Sequence, residues 1–175
     1  MERVDLYDEN RIPLGITAER QEHRNQKRGG MYRTVVHVCI FNSRGQLLIQ
    51  RRSAQKEVFP EKWDVSAAGG VRAGETSRQG AEREVREELG YALDLTGVRA
   101  SVTVNFDRGF DDFYIVKRDV ELSALKLQTE EVSEVRWATL AEVQELLQQE
   151  KFIAYPESFL RFLFDMQDTF GFVTK

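Results

Sequence analysis

Three glutamates on one predicted helix are the residues of this chain best suited to metal chemistry. Glu84, Glu87 and Glu88 are spaced i, i+3 and i+4, so their carboxylates lie on one side of a helix. Glu84 and Glu88 repel each other at this spacing. A hard divalent cation binds carboxylate oxygens and keeps several waters that phosphate oxygens can replace. The cluster is therefore a candidate site for Mg²⁺ or Mn²⁺.

A solvated helix face is the alternative interpretation of the same residues. Glu82 with Arg86, and Arg83 with Glu87, are spaced for ion pairs along the helix, each contributing about 0.2–0.5 kcal/mol. Such pairs do not explain why two glutamates that repel each other are placed one turn apart. On composition alone both interpretations stay open.

The helix itself is well defined by the residues that begin and end it. Thr76 followed by Gln79 has the spacing of a capping box, and Gly90 is a C-terminal stop. Between them an apolar stripe recurs at i, i+4 and i+8, formed by Ala81, Val85 and Leu89. The carboxylates therefore lie beside the buried face of the helix.

The whole stretch 69–91, GGVRAGETSRQGAEREVREELGY, resembles the Nudix box of the Nudix hydrolases. The matching positions are Gly69, Glu75, Arg83, Glu84, Val85, Glu87, Glu88 and Gly90. Tyr91 departs from the pattern, since a small aliphatic residue is usual there. The resemblance implies a pyrophosphate hydrolase that uses Mg²⁺ or Mn²⁺ to cleave a nucleoside diphosphate linked to another group.

The resemblance also implies roles for the residues around the box. Glu84, Glu87 and Glu88 would hold the metal, assisted by the carbonyl of Ala68, while Arg83 would orient a glutamate. Glu75 would brace the loop against the helix through that arginine. Metal lowers the pKa of water toward neutrality, and either a box glutamate or a later acid would accept the proton.

A basic segment upstream supplies candidate phosphate contacts. The run QRRSAQKEVFPEKWDVSAAGG resembles the branch of the superfamily related to isopentenyl-diphosphate isomerase. In that branch the second arginine and the following lysine approach the diphosphate, which corresponds to Arg52 and Lys56 here. Exposed strand ends are the alternative for either residue. Phe59, Pro60 and Trp63 are expected to shape the loop.

Isomerase chemistry is disfavoured by the same comparison. Isomerases place a catalytic cysteine directly before the box and a metal-binding histidine just after it, where this chain has Ala68, Gly69 and Gly70. A third alternative is a non-catalytic module that binds a nucleotide metabolite. Such a module would be expected to carry a damaged box or an attached DNA-binding domain, and the sequence shows neither.

Two regions after the box bear on the site. Glu131, in the run TEEVSEVRW, is a candidate metal ligand or general base, because some Nudix enzymes take one from a loop after the box. A solvated acid is the alternative. Phe106 or Phe110 could stack on a base, although packing at a strand end is the preferred interpretation of each.

Composition favours a soluble, cytoplasmic protein that acts on small molecules rather than on a polymer. The chain has 175 residues, a net charge of −4 and no basic run, so nucleic acid is a disfavoured partner. No apolar run is long enough for a membrane span, and the acidic N-terminus does not resemble a signal peptide. The single cysteine, Cys39, is predicted to be a buried hydrophobe and fits a reducing compartment.

The remaining patterns predict one α/β domain over residues 1–175. Residues 1–30 read as an N-terminal β-hairpin, with Thr17 capping a short helix and His23 in a solvated loop. Residues 31–150 form the core. Strands are expected over 31–41, 46–52, 98–107 and 113–120, with a loop at 107–112, and helices over 141–149, capped by Thr139, and 156–167. His37 is expected to be a hydrogen-bonded sheet residue.

The order of these elements predicts an α/β/α sandwich with a mixed sheet. The C-terminal region, residues 151–175, contributes a helix with an apolar stripe formed by Phe159, Phe162, Leu163 and Met166. This stripe is expected to close the core, and a homodimer contact is its second interpretation.

Overall fold

Nine strands and four helices make up the described chain. The structure is a computed structural model that describes residues 2–25 and 29–169. The strands are β1 (Arg3–Tyr7), β2 (Pro13–Glu19), β3 (Arg33–Phe41), β4 (Leu47–Arg52), β5 (Trp63–Asp64), β6 (Ala67–Gly70), β7 (Val102–Phe106), β8 (Gly109–Lys117) and β9 (Val132–Ala138). The helices are α1 (Arg20–Asn25), α2 (Ser77–Leu89), α3 (Leu140–Gln148) and α4 (Glu157–Asp165).

A seven-stranded mixed sheet forms the centre of the fold. Its main path is β5-β4-β3-β8-β7, with β6 paired to β3 and β9 paired to β4. The pairing of β3 with β8 is parallel, whereas the other pairs within this sheet are antiparallel. Strand β3 is the innermost element and carries apolar residues on both faces, as expected when both faces are covered.

Helices cover the two faces of the sheet. Val36, Val38 and Ile40 of β3 pack with the buried stripe of α2. The alternate residues Cys39 and Phe41 pack with apolar side chains of α3 and α4. The predicted α/β/α sandwich with a mixed sheet is therefore confirmed. The single-domain boundaries stay a prediction.

The predicted caps of α2 and α3 are confirmed. Thr76 forms a capping box with Gln79 at the start of α2, and Gly90 ends it with a left-handed φ of 65°. Thr139 forms a capping box with Glu142 at the start of α3. In α4 the residues Leu160, Leu163 and Phe164 are buried, so this helix closes the core as expected.

The N-terminal hairpin is confirmed and forms a separate two-stranded sheet, β1-β2. Val4, Leu6 and Ala18 give it a small core of its own. It is joined to the main body by an antiparallel bridge between Tyr7 and Tyr32. The expected helix capped by Thr17 is wrong, because Thr17 and Ala18 pair with Asp5 and Val4 in the hairpin. The helix begins at Arg20 instead.

Two further local predictions are wrong for tertiary reasons. His23 is not a solvated loop residue: it is buried in α1, with Nε2 3.1 Å from the carbonyl oxygen of Met31. The expected loop at 107–112 is a tight β7–β8 hairpin, in which Gly109 already belongs to β8. A Cβ at Gly109 would lie 2.0 Å from the carbonyl oxygen of Arg33, so the glycine serves strand contact rather than loop flexibility.

Within the described ranges 2–25 and 29–169, no helix is both long and apolar enough to cross a membrane.

Candidate active site

Helix α2 presents two buried carboxylates to strand β6. Glu84 and Glu88 retain only 7% and 4% of their accessible surface. The chain makes room for Glu84 through Gly69, since a Cβ there would lie 2.1 Å from the carboxyl carbon of Glu84. Burial raises the pKa of Glu84, and Arg83 opposes that rise. Two carboxylates are thus held in a place where their charge is poorly solvated.

Glu88 is fixed by hydrogen bonds from two neighbouring strands. Gln50 Nε2 of β4 donates to Glu88 Oε2 over 2.9 Å, and the backbone N–H of Ala68 donates to the same oxygen over 3.2 Å. Burial and the nearby charge of Glu84 raise the pKa of Glu88 to about 8. A cation at this position would offset the cost of holding both carboxylates ionised.

Arg83 connects α2 to the turn that precedes it. Its guanidinium donates to Glu75 over 2.7 and 3.0 Å, to Glu84 over 2.8 Å and to Glu87 over 3.0 Å, and to the Gly70 carbonyl over 2.8 Å. Burial alone would raise the pKa of Glu75, but the hydrogen bonds from Arg83 and from the Arg72 backbone, together with the charges of both arginines, outweigh burial and lower that pKa. The geometry is that of an arginine orienting glutamates and braced by Glu75.

Glu87 differs from the other two glutamates in its surroundings. It is exposed, and both carboxylate oxygens accept hydrogen bonds of 3.0 Å from Arg72. Arg72 is also paired with Glu2 from the start of the chain. The solvated-face interpretation therefore describes Glu87 and its partner Arg83 in part, whereas it does not describe Glu84 and Glu88.

A small cavity of about 260 Å³ joins the predicted ligand groups. Its lining contains Glu84, Glu87, Glu88, Ala68, Gly69, Glu2, Glu131, Arg20, Lys56, Arg72 and Gln128. Five of these side chains are carboxylates and three are cationic, a formal charge of −2 when all of them are ionised. That balance suits a divalent cation, and oxygen donors are what Mg²⁺ and Mn²⁺ prefer.

The described side chains offer carboxylates to a metal ion without forming a complete cage for it. No group of three or more His, Cys, Asp or Glu residues among them is already gathered closely enough to hold an ion. One buried acceptor beside Glu88, the Oε1 of Gln50, has no hydrogen-bond partner. Since Mg²⁺ uses one or two carboxylates with waters and substrate phosphates, Glu84 and Glu88 in the small cavity fit such a cation.

A larger cavity of about 920 Å³ adjoins the small one and shares lining residues with it, among them Ala68 and Gly69. It is lined by Arg52, by Glu130 before β9 and by Phe106 at the end of β7. The guanidinium of Arg33 lies over the Phe106 ring, with Arg33 Cζ 5.9 Å from the ring centroid. Phe110 is instead buried against Tyr32, with ring centroids 5.8 Å apart. Of the two candidate stacking residues, only Phe106 lines this cavity.

The two predicted phosphate contacts have different environments. Arg52 Nε and Nη2 donate to the Val58 carbonyl over 3.1 and 2.9 Å, with Asp64 3.9 Å away. Lys56 forms an ion pair with Glu131, and both residues line the small and the large cavity. The sequence therefore indicated both partners of this pair, but not that they contact each other.

A hydrogen-bonded series of polar side chains lines the large cavity and was not predicted as a group from the sequence. His37 Nε2 lies 3.2 Å from Asp111 Oδ1, and its Nδ1 lies 3.3 Å from the Tyr155 hydroxyl. Tyr155 donates to the buried Asp64 over 3.0 Å, and burial raises the pKa of Asp64. His37 is a hydrogen-bonded sheet residue as expected. Asp64 and Tyr155 had no local signal, whereas Gln50 is a polar residue within an apolar strand.

Comparisons with known proteins agree with this geometry. A sequence model described as the NUDIX domain matches residues 31–159. An uncharacterised Nudix hydrolase from Listeria innocua is 48% identical to this chain over 168 residues, covering 96% of each protein. An isopentenyl-diphosphate Delta-isomerase from Citrobacter koseri is 31% identical over 158 residues, covering 83% of this chain and 82% of the isomerase. A crystal structure of a Deinococcus radiodurans protein matches with a TM-score of 0.71 and 25% identity, over 93% of this chain and 99% of that one.

Proposed function

This chain belongs to the Nudix family of hydrolases, and from that premise we propose that it is a Mg²⁺-dependent pyrophosphohydrolase. Its substrate would contain a diphosphate linkage in a nucleoside diphosphate or triphosphate derivative, or in a related small phosphorylated metabolite. The observation that carries the proposal is the pair of buried carboxylates, Glu84 and Glu88, in the small cavity. Lys56 lines this cavity and the larger one, and Arg52 lines the larger one.

Metal binding is the first part of the proposal. Glu84, Glu87 and Glu88 with the carbonyl of Ala68 would hold Mg²⁺ or Mn²⁺, in keeping with the general use of divalent metals in the family. When bound, the cation neutralises charge on the diphosphate and promotes ionisation of the attacking water. Arg83 keeps Glu84 and Glu87 oriented through its hydrogen bonds.

The chain's own residues would then bind and position the substrate. Arg52 and Lys56 offer positive charge to phosphate oxygens, with arginine suited to two-point contact and lysine to a point charge. The proton of the water passes to one of the box glutamates or to Glu131, which lines both cavities. The products are a phosphorylated fragment and a nucleotide or phosphate.

The isomerase alternative remains disfavoured despite the similarity to the Citrobacter enzyme. Ala68, at the position of the isomerase cysteine, lines both cavities and has no ionisable side chain. Proton transfer to a prenyl diphosphate would need such a group there. The binding-only alternative is distinguished by the absence of turnover.

A product-release screen tests the proposal. The substrates are nucleoside di- and triphosphates, dinucleoside polyphosphates, nucleotide sugars and prenyl diphosphates, each with and without Mg²⁺. We expect Mg²⁺-dependent phosphate or nucleotide release from at least one class, and its loss in Glu87→Gln. No turnover of any class, with the variant indistinguishable from the wild type, would contradict the proposal.

A further inference from the structure

The junction between the two cavities is formed by six residues. Glu2, Arg20, Lys56, Ala68, Gly69 and Glu131 are the residues that line both the small and the large cavity. Ala68 and Gly69 belong to β6, and the four charged residues form two ion pairs. Arg20 pairs with Glu2, and Lys56 pairs with Glu131. A diphosphate that reached from the carboxylates into the larger cavity would therefore meet residues of this junction.

Arg20 is brought to this junction by the N-terminal hairpin. It is the first residue of α1, directly after β2, and its backbone N–H donates to the Glu2 carbonyl over 2.9 Å. Its side chain lies over β6 at Gly70, where a Cβ would be only 3.3 Å from Arg20 Nε. The glycine therefore leaves the space that this guanidinium occupies. Arg20 also lies outside residues 31–159, which match the family.

Two of the cationic side chains at the junction have fewer carboxylate partners than the third cation of the small cavity. Of the three cationic side chains in the small cavity, Arg72 is held by both oxygens of Glu87 and by Glu2. Arg20 and Lys56 each have one carboxylate partner, and both reach the larger cavity. A phosphate carries more than one negative charge and several acceptor oxygens, so it competes well with a single partly exposed carboxylate.

We propose that Arg20 and Lys56 together form a phosphate-binding subsite at the junction, in which the substrate phosphate replaces Glu2 and Glu131 as their partner. This inference rests on the proposed function, because it assigns a place to one phosphate of the cleaved diphosphate. The exchange breaks no covalent bond. It leaves the carboxylate of Glu131 without its lysine partner while substrate is bound.

Arginine variants give the first test. Arg20→Gln is expected to raise KM about tenfold to a hundredfold, the loss typical of one charge-assisted hydrogen bond, with a smaller change in kcat. Arg20→Lys is expected to recover part of the loss. Arg51→Gln is the matched control: its side chain is 40% exposed, like that of Arg20, and pairs with Glu61 outside both cavities. Equal KM values for the two glutamine variants would overturn the proposal.

Replacing Glu2, the carboxylate that competes with phosphate for Arg20, should change KM in the opposite direction. Glu2→Gln removes the partner that the phosphate must replace, so KM should fall in the wild-type background. In the Arg20→Gln background the same change should have no effect on KM. If the ion pair merely stabilises the hairpin, both single variants would raise KM and lower the thermal midpoint, and the proposal would be wrong.

A binding measurement separates this inference from the proposed function. Methylenediphosphonate, which cannot be hydrolysed, is titrated by calorimetry in the presence of Mg²⁺. Weaker binding by at least about tenfold in Arg20→Gln, and unchanged binding in Arg51→Gln, supports the subsite even if no substrate is turned over. Turnover with equal diphosphonate affinity in the wild type and Arg20→Gln overturns the subsite and leaves the hydrolase intact.

Discussion

Arg83 is the side chain that joins the glycine-rich turn to helix α2. Five hydrogen bonds connect it to Glu75, Glu84, Glu87 and the Gly70 carbonyl. Two of them form a fork on Glu75, an arrangement that lysine cannot reproduce. Because one guanidinium holds residues from both segments, the positions of Glu84 and Glu87 depend on it.

Replacing Arg83 by lysine should therefore reduce catalysis while leaving the charge in place. We expect kcat/KM of Arg83→Lys to fall at least about tenfold, since several charge-assisted hydrogen bonds are lost. Arg86→Lys is the matched control, because Arg86 is an exposed arginine on the same helix. Steady-state kinetics and thermal midpoints of both variants are the measurement. An unchanged kcat/KM in Arg83→Lys would show that glutamate orientation does not depend on the fork.

Side chains differ in how far the sequence alone can place them. Glu84 and Glu88 were predictable because helical spacing fixes their relation to one another. Gln50 and Tyr155 reach the site from distant parts of the chain, through contacts to Glu88 and Asp64. Those contacts depend on the packing of β4 and of the segment before α4, which local spacing does not encode. Burial of His23 has the same origin.

At the scale of elements, Asp112 joins three segments that are distant in sequence. It is buried in β8 and accepts hydrogen bonds from Arg11 in the β1–β2 turn, from Ser77 at the start of α2 and from Thr103 in β7. Burial alone would raise the pKa of Asp112, but these hydrogen bonds outweigh it and lower that pKa. The N-terminal hairpin is thereby attached to the sheet.

Removing this charge should destabilise the protein in a pH-dependent way. We expect Asp112→Asn to lower the free energy of unfolding by about 1–3 kcal/mol at pH 7. A carboxylate whose pKa is lowered by folding stabilises above its unfolded pKa of about 3.9, and that stability is lost as pH falls through the folded pKa. Urea unfolding between pH 7 and pH 3 should therefore show the difference shrinking toward acid.

Asp107→Asn is the control for this prediction, because Asp107 is exposed in the turn of the same β7–β8 hairpin. It should change the free energy of unfolding by less than about 0.5 kcal/mol. A pH-independent difference between the wild type and Asp112→Asn would contradict the role assigned to the ionised carboxylate.

Helices and their boundaries were predictable where capping residues close in sequence determine them. The capping boxes at Thr76 and Thr139 and the stop at Gly90 gave the ends of α2 and α3. The start of β8 was not predictable, because Gly109 has the composition of a loop and its role follows from contact with Arg33 of β3. Strands β5 and β6 are short and border the site, so their pattern was too brief to detect.

At the scale of the whole molecule, the hairpin contributes residues to the walls of both cavities. Glu2 and Arg20 come from its two ends and line both cavities. Its outer strand β2 has no further strand paired to it within the described residues. Ile12, Leu14 and Ile16, which alternate along this segment, are between 41% and 59% exposed.

The sequence analysis gave a homodimer contact as the second interpretation of the apolar stripe of α4, whereas that helix packs against the core. The exposed stripe of the hairpin is a different candidate contact, since exposed apolar stripes on edge strands are typical of pairing surfaces. We expect a dimer by light scattering coupled to size exclusion, and a monomer for Ile16→Asp. Val104→Asp, on the exposed strand β7, should remain dimeric. A monomeric wild type would contradict the prediction.

Hydrolysis assisted by the carboxylates of α2 is the central claim, and one kinetic comparison tests it most directly. Mg²⁺-dependent turnover of the best substrate is measured for the wild type, Glu84→Gln, Glu88→Gln and Glu82→Gln. Glu82 is the matched control, because it lies on the same helix and accepts a hydrogen bond from the Leu95 backbone instead. We predict a loss of at least about a hundredfold in kcat for Glu84→Gln and Glu88→Gln, and wild-type kcat for Glu82→Gln. Equal turnover in all four proteins, or none with Mg²⁺ in the wild type, would contradict the claim.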